Sequence, residues 1–251
     1  MSLETVLAET TNTELEKGKN IRVYDCQTVE YRKALALQEK LREERVRDAI
    51  PDTILLLEHP HVYTIGENVG REVLQSLIKE SLTHELIQTG RAGKITYHGP
   101  GQIVAYFICK VPFKHQANFH TEVEDIVIKA LKKYEIETYS RKNEQDPRSP
   151  NQKRGIRGVW YNQEGVYKKV AAIGLQFMPA PIYRGIRMAV SMHGVALNVN
   201  TDLSQFEKIY PCGFDYDVMT STERILGRKL KLEDMKKIIA EEIKEGLEKK
   251  W

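Results

Sequence analysis

The sequence predicts an α+β domain in which a mixed central sheet is flanked by helices. Three observations carry that expectation. Residues 94–111 and 156–199 read as strands joined by short turns. Helical periodicity is clearest outside those runs, at 121–134 and 232–247. The 251 residues are enough for one large core or at most two small ones, and a single domain is preferred. This mixed order of strands and helices is that of an α+β fold rather than an alternating α/β one.

The elements follow in order. Residues 1–20 form a polar arm, and 21–251 the domain. A helix is expected from Thr28 to Arg47, with Tyr31, Ala34, Leu35, Gln38 and Leu41 on one face, and Pro51 stops it. Thr53–Leu57 (TILLL) is a short buried strand, followed by the loop EHPHVYTIGE and a short helix over 73–80. From Lys94 to Val111, Ile103, Ala105, Phe107, Cys109 and Val111 alternate with Val104, Tyr106 and Ile108. Both faces are apolar, as in a strand covered on both sides. Thr121–Tyr134 is helical: Val123, Ile126, Val127, Ala130, Leu131 and Tyr134 recur at helical spacing. Residues 141–154 (RKNEQDPRSPNQKR) read as an exposed loop. Strands follow at Ile156–Tyr161, Val166–Phe177 and Arg187–Val199. A last helix spans Leu232–Leu247, with Met235, Ile238, Ile239, Ile243 and Leu247 as its buried stripe.

Composition narrows the function classes. A net charge of +3 suits an encounter with an acidic protein but falls short of a nucleic-acid-binding signature. No apolar run approaches the roughly 20 residues needed to cross a bilayer. The acidic N-terminal stretch resembles neither a signal nor a transit peptide, so a cytoplasmic protein is expected. The three cysteines, Cys26, Cys109 and Cys212, are far apart and form no CxxC pair. Neither a disulfide framework nor a metal site is indicated. Cys109 lies inside a buried strand and reads as structural. Cys212, between Pro211 and Gly213, is in a turn, where a thiol meets substrate and can use nearby backbone N–H groups.

Three stretches look specialised. The first, Arg91-Ala-Gly-Lys-Ile-Thr-Tyr-His98-Gly-Pro-Gly101-Gln102, puts an arginine and a histidine in a glycine-rich turn. It lacks the spacing of a nucleotide-binding loop. It reads equally as a plain connection between strands. The second, Lys168-Lys169-Val-Ala-Ala-Ile-Gly174, places its two lysines on opposite strand faces. A lysine on an enclosed apolar face can act as a base, whereas both could instead reach solvent at a strand end. The third runs from His193-Gly-Val-Ala196 through Asn200-Thr-Asp-Leu to Tyr-Pro-Cys212-Gly.

EHPHVYTIG, RAGKITYHGPGQ, KVAAIG, HGVALNVNTDL and PCG occur in this order. Over about residues 50–225 the chain thereby resembles the lipoyl(octanoyl) transferases. The resemblance implies a fold shared with biotin and lipoate protein ligases. It also implies octanoyl transfer from acyl carrier protein to lipoyl domains of 2-oxoacid dehydrogenases and to glycine cleavage H protein, with no cofactor. It makes Cys212 the acyl-thioester nucleophile and Lys169, rather than Lys168, its activating partner. It maps substrate contacts onto Arg91, Ala92, Gly93, Lys94, Ile95, Thr96, Tyr97 and His98, then Ala172, Ile173 and Gly174, then Gly194, Val195 and Ala196. Ala92 stands where the family usually has glycine, which puts the local pocket shape in question. The competing enzyme is an ATP-dependent lipoate– or biotin–protein ligase of the same fold. A catalytically dead binder of carrier or lipoyl domains is the non-enzymatic alternative.

Overall fold

The computed structural model describes residues 13–18, 20–67, 69–145 and 155–248. Strand β1 (Thr13–Lys17) pairs antiparallel with β2 (Ile21–Thr28), so the distal part of the expected polar arm is an edge strand. Helix α1 (Tyr31–Val46) starts where the Glu30 carboxylate accepts from the N–H groups of Arg32 and Lys33. It returns the chain to β3 (Asp52–Glu58), which lies parallel to β2. Parallel neighbours require such a crossover, and the helix is thereby laid on one face of the sheet. Its buried side is Tyr31, Ala34, Leu37, Gln38, Leu41 and Glu44; Leu37 takes the place expected for Leu35, which is half-buried.

The expected loop EHPHVYTIGE contains strand β4 (Val62–Ile65). Helix α2 (Arg71–Leu77) and β5 (Leu86–Gln88) follow. The expected strand over 94–111 is three: β6 (Thr96–His98), β7 (Gln102–Ile108) and β8 (Lys110–Pro112). Glycine turns separate the first two: Gly101, at φ 83°, would drive a side chain into the Asn200 carbonyl. Cys109 is buried at the break before β8, its thiol pushed well above the usual range by that burial. Helix α3 (Gln116–Lys132) leads to β9 (Thr138–Gln145) and β10 (Gly155–Gln163). The expected loop 141–154 is therefore strand as far as Gln145, and residues 146–154 lie outside the described residues. The long hairpin β11 (Val166–Tyr183) and β12 (Ile186–Asn198) comes next. Short α4 (Thr222–Leu226) and α5 (Leu232–Leu247) end the fold.

The main sheet runs β1-β2-β3-β7-β12-β11-β10-β9, with β8 also on β12. Helices α3 and α5 cover one face through Phe119, Val123, Ile239 and Ile243, against Val23, Ile54, Phe107 and Val195. Helix α1 covers the other face through Ala34, Leu37 and Leu41, against Leu55, Leu57, Val104 and Tyr106. A second sheet, β5-β4-β6, has its own core of Tyr63, Ile95, Tyr97, Phe206 and Ile209. No described helix is long and apolar enough to cross a membrane.

Candidate active site

The small sheet roofs the α1 face of the large one, and a slot lies between them. Its floor is made of strand residues that share one face. Ala172 and Gly174 come from β11, Gly194 and Ala196 from β12, and Val104 and Tyr106 from β7. The register brings them side by side: Ala172 pairs with Ala196, and Gly174 with Gly194. On the other flank Gly194 pairs with Tyr106 and Ala196 with Val104. The glycines are forced by close packing. A Cβ on Gly194 would stand 1.9 Å from the Ala105 carbonyl oxygen, and one on Gly174 2.8 Å from that of Ala92. Small side chains leave a narrow cavity of about 50 Å³ there. Arg91, Ala92, Gly93, Thr96, His98 and Cys212 line the opposite wall.

Arg91 is buried and donates to neutral oxygens. These are the Thr64 carbonyl (2.7 Å) and hydroxyl, and the carbonyls of Ala92 (3.0 Å) and Lys94 (2.8 Å). No carboxylate pairs with it among the described residues. Its positive charge therefore faces the slot uncompensated, and burial pulls its pKa down against the pull of Tyr31 and Cys212. Ala92 needs no left-handed backbone; Gly93 takes that role at φ 97°. The extra methyl at 92 is exposed.

His98 is fixed rather than loose. Its Nδ1 contacts Gln102 Oε1 at 2.7 Å, which assigns the proton to Nδ1, and Gln102 in turn donates to Tyr97 O and Asn198 Oδ1. Burial holds its pKa well below the usual value, so the ring is neutral. His59 supports this wall from behind, between the Val29 carbonyl (2.6 Å) and the Tyr106 hydroxyl (2.7 Å).

Cys212 is half-buried, unlike Cys26 and Cys109. It sits in a 3-10 turn with φ 56° and ψ 15°, a left-handed conformation that costs a non-glycine residue about 1–2 kcal/mol. Its N–H donates to Ile95 O (3.0 Å), Gly213 N–H to Tyr210 O and Phe214 N–H to Pro211 O. The first bond holds the turn against the start of β6, and the other two close the turn on itself. They also occupy the N–H groups that the sequence suggested for an oxyanion, so that donor must come from elsewhere.

Lys169 is buried beside Trp160 of β10, with its ammonium 4.7 Å from the Trp160 ring centre and 5.3 Å from that of Phe214. Phe214 is two residues beyond Cys212, so the cation approaches the cysteine turn from behind the slot. Gly158 makes room for it: at φ 122°, its Cβ would lie 3.1 Å from Lys169 Cε and 2.7 Å from Ala171 O. The buried Glu124 carboxylate accepts from the Gly158 N–H (3.0 Å) and the Ser140 hydroxyl (2.6 Å), tying this strand to α3. Lys168 points the other way, to Asp217 at the surface.

Of the residues expected to touch substrate, Ile173, Val195 and those named above line the slot. Lys94, Ile95 and Tyr97 do not. Lys94 and Ile95 lend carbonyls to Arg91 and Cys212, and Tyr97 is buried against Phe206 with its hydroxyl on His61. Tyr31, Val104, Tyr106 and His193 line the slot without having been singled out. Tyr31 and Tyr106 carried only a core-periodicity signal, and His193 was visible only as the polar residue opening HGVA. Among the described residues no cluster of His, Cys, Asp or Glu could hold a metal.

Comparison with known proteins agrees with this architecture. The model of the lipoyl protein ligase A/B catalytic domain matches residues 30–244. An octanoyltransferase of Rubrobacter xylanophilus is 37% identical over 225 residues, covering 86% of this chain and 89% of its own. One from Pelobacter propionicus is 34% identical, covering 90% and 95%. Among solved structures, a lipoate-protein ligase A bound with ATP superposes with a TM-score of 0.58 at 11% identity, over 92% of this chain and 86% of that one. A bi-partite lipoate protein ligase from Thermoplasma acidophilum gives 0.56 at 10% identity, over 84% and 79%. At such identities the ligases share the fold alone.

Proposed function

The chain belongs to the lipoyl protein ligase A/B catalytic-domain family, as a lipoyl(octanoyl) transferase, and from that premise we propose a route for its acyl transfer. It is an acyltransferase that moves octanoyl groups in lipoate biosynthesis. The donor is octanoyl-acyl carrier protein, the carrier of the group is Cys212, and the acceptor is a lysine of a lipoyl domain. Lipoyl domains of 2-oxoacid dehydrogenases and glycine cleavage H protein are the intended acceptors.

The single observation that carries this reading is a half-exposed thiol on a slot of small residues, with two buried cations turned toward its turn. A thiol needs a nearby positive charge to ionise at neutral pH. Arg91 lines the same wall as Cys212, and Lys169 beside Phe214 is the base that takes the thiol proton. The thiolate attacks the donor's thioester carbon, and the donor's sulfur leaves with the proton that the Lys169 ammonium gives up, so Lys169 ends neutral. The exchange of one thioester for another is nearly neutral in energy and needs no ATP. In the second half the acceptor amine, deprotonated by neutral Lys169, attacks the acyl-cysteine. An amide forms, the Cys212 sulfur is released, and the proton returns to it. The alkyl chain enters by the narrow slot, which must widen to take all of it, and each buried CH₂ is worth about 0.8 kcal/mol.

Incubation with octanoyl-acyl carrier protein in the absence of ATP should add one octanoyl mass to the intact protein, and the label should vanish in Cys212→Ala. Transfer at the normal rate by Cys212→Ala would remove the thioester route, and an absolute need for ATP would return the chain to ligase chemistry.

A further inference from the structure

The slot is one of two hollows that meet at His193. The second is an open groove continuing outward on the same sheet face, between Leu35, Glu39 and Arg42 of α1 and Gln176 and Met178 of β11. Gln176 and Met178 extend the row begun by Ala172 and Gly174, since alternate strand residues share a face. One linear ligand could therefore lie in both.

His193 reaches this seam through an unusual backbone. It pairs with Leu175, whose side chain is packed on the α3 and α5 face. A φ of 60° turns His193 to the α1 face instead, edge-on to Tyr106 with ring centres 6.3 Å apart. The conformation is held by its N–H donating to Gln38 Oε1 at 2.8 Å. Strain of this kind persists where the surroundings impose it, and it concentrates at ligand sites.

Both ring nitrogens of His193, which lines both hollows, lack a partner among the described residues, and so does Nε2 of Gln38, which lines neither. Their side chains are 2% and 0% exposed. Buried polar groups are nearly always hydrogen-bonded, so this set describes the complement of an absent polar group. Burial pushes the His193 pKa down to about 4, which leaves the ring neutral, with one N–H donor and one bare acceptor nitrogen. Gln38, whose Oε1 holds the His193 backbone, is the positioning residue behind it. Such a set complements a secondary amide, whose carbonyl accepts and whose N–H donates, and it does not complement an alkyl chain.

We propose that His193, positioned by Gln38, binds a secondary amide in the arm of the acyl-thioester donor, with the acyl chain in the slot and the arm in the groove. This rests on the octanoyl-transfer reading of Cys212. The donor is favoured over the acceptor because slot and groove form one continuous strand face, suited to a chain that carries alkyl and amide portions in line.

The test compares two small donors: the octanoyl thioester of N-acetylcysteamine, which has one secondary amide, and an octanoyl thioester of an alkyl thiol of equal length. At limiting donor, acylation of the wild-type protein, read by intact mass, should be about tenfold faster with the amide, the worth of one or two net hydrogen bonds. His193→Leu, and Gln38→Leu, which releases the His193 N–H, should each bring that ratio to within about twofold. Gln38→Leu keeps the His193 ring in the chain, so it carries the test if His193→Leu fails to fold. A ratio near one in the wild type, or a ratio unchanged in the variants, overturns the proposal. The acceptor half is read separately, by giving preformed octanoyl-enzyme an Nα-acetyl-lysine amide or a plain alkylamine. If the variants lose preference only there, the amide belongs to the acceptor and the donor assignment falls. Failure of every thioester to acylate Cys212 removes the octanoyl-transfer reading itself, and this proposal with it.

Discussion

At the scale of single residues, the cysteine turn and the lysine behind it were separable in the sequence only by motif. Strand alternation says that Lys168 and Lys169 point apart, but not which one faces inward. The structure buries Lys169 against Trp160 and Phe214 and sends Lys168 to Asp217. If Lys169 ionises the thiol, Lys169→Ala should move the alkylation-versus-pH curve of Cys212 to higher pH, while Lys168→Ala leaves it in place. Superimposable curves for wild type and Lys169→Ala would end the pairing. Gly158 offers a second test that leaves both reacting groups intact. Its φ of 122° is closed to side chains, and a methyl there would meet Ala171 O and Lys169 Cε. Gly158→Ala should lower stability by about 1–3 kcal/mol and slow acylation through displacement of the ammonium. A folded Gly158→Ala acylated at the wild-type rate would show that the position of Lys169 is immaterial. The commitment of the Cys212 N–H to the Ile95 carbonyl was invisible in the sequence, because it depends on the start of β6 lying alongside that turn.

At the scale of elements, what the sequence made legible was what has a strong apolar period. Leu232–Leu247 was readable because Met235, Ile239, Ile243 and Leu247 recur on one buried helical face, although Ile238 of the expected stripe is only half-buried. β1 was not: TELEK holds one apolar residue, and an edge strand half open to solvent needs no more. β4 hid for a different reason, since four residues between turns are too few to show alternation. The docking of α5 also had a polar part that periodicity cannot show. Lys236 lies buried against Asp25 of β2 at 2.9 Å, with Glu58 at 3.9 Å. Removing one member of a buried pair leaves the other uncompensated, at a cost of about 3–5 kcal/mol. Lys236→Met should therefore reduce the denaturant midpoint sharply, and adding Asp25→Asn should recover part of the loss. Equal midpoints for the single and double variants would mean that the two charges do not stabilise each other.

At the scale of the whole molecule, the sheet order itself was beyond the sequence, because β7 lies between β3 and β12 through pairings distant along the chain. Burial on the two faces of that sheet encloses several histidines. His59, His120 and His193 are each pushed down to about 4 by burial, and His98 is also held well below its ordinary value. The sign of the consequence follows from proton counts. Below an unfolded-state value of about 6.5 the unfolded chain takes up protons at these rings while the folded one does not, so stability falls as pH falls. Each such ring contributes a slope of up to about 1.4 kcal/mol per pH unit between roughly 6.5 and 4. The three rings with values near 4 would together withdraw up to about 6 kcal/mol between pH 6.5 and 5. The three are spread over different parts of the fold: His59 behind the slot, His193 at its seam and His120 on α3 against Phe177. Thermal unfolding measured from pH 7.5 to 4.5 should show the melting temperature dropping below about pH 6.5, and His120→Phe should flatten the drop by about one ring's share. A melting temperature level across that range would mean that the folded protein accepts these protons, and that the interior around the slot is wetter than its geometry implies.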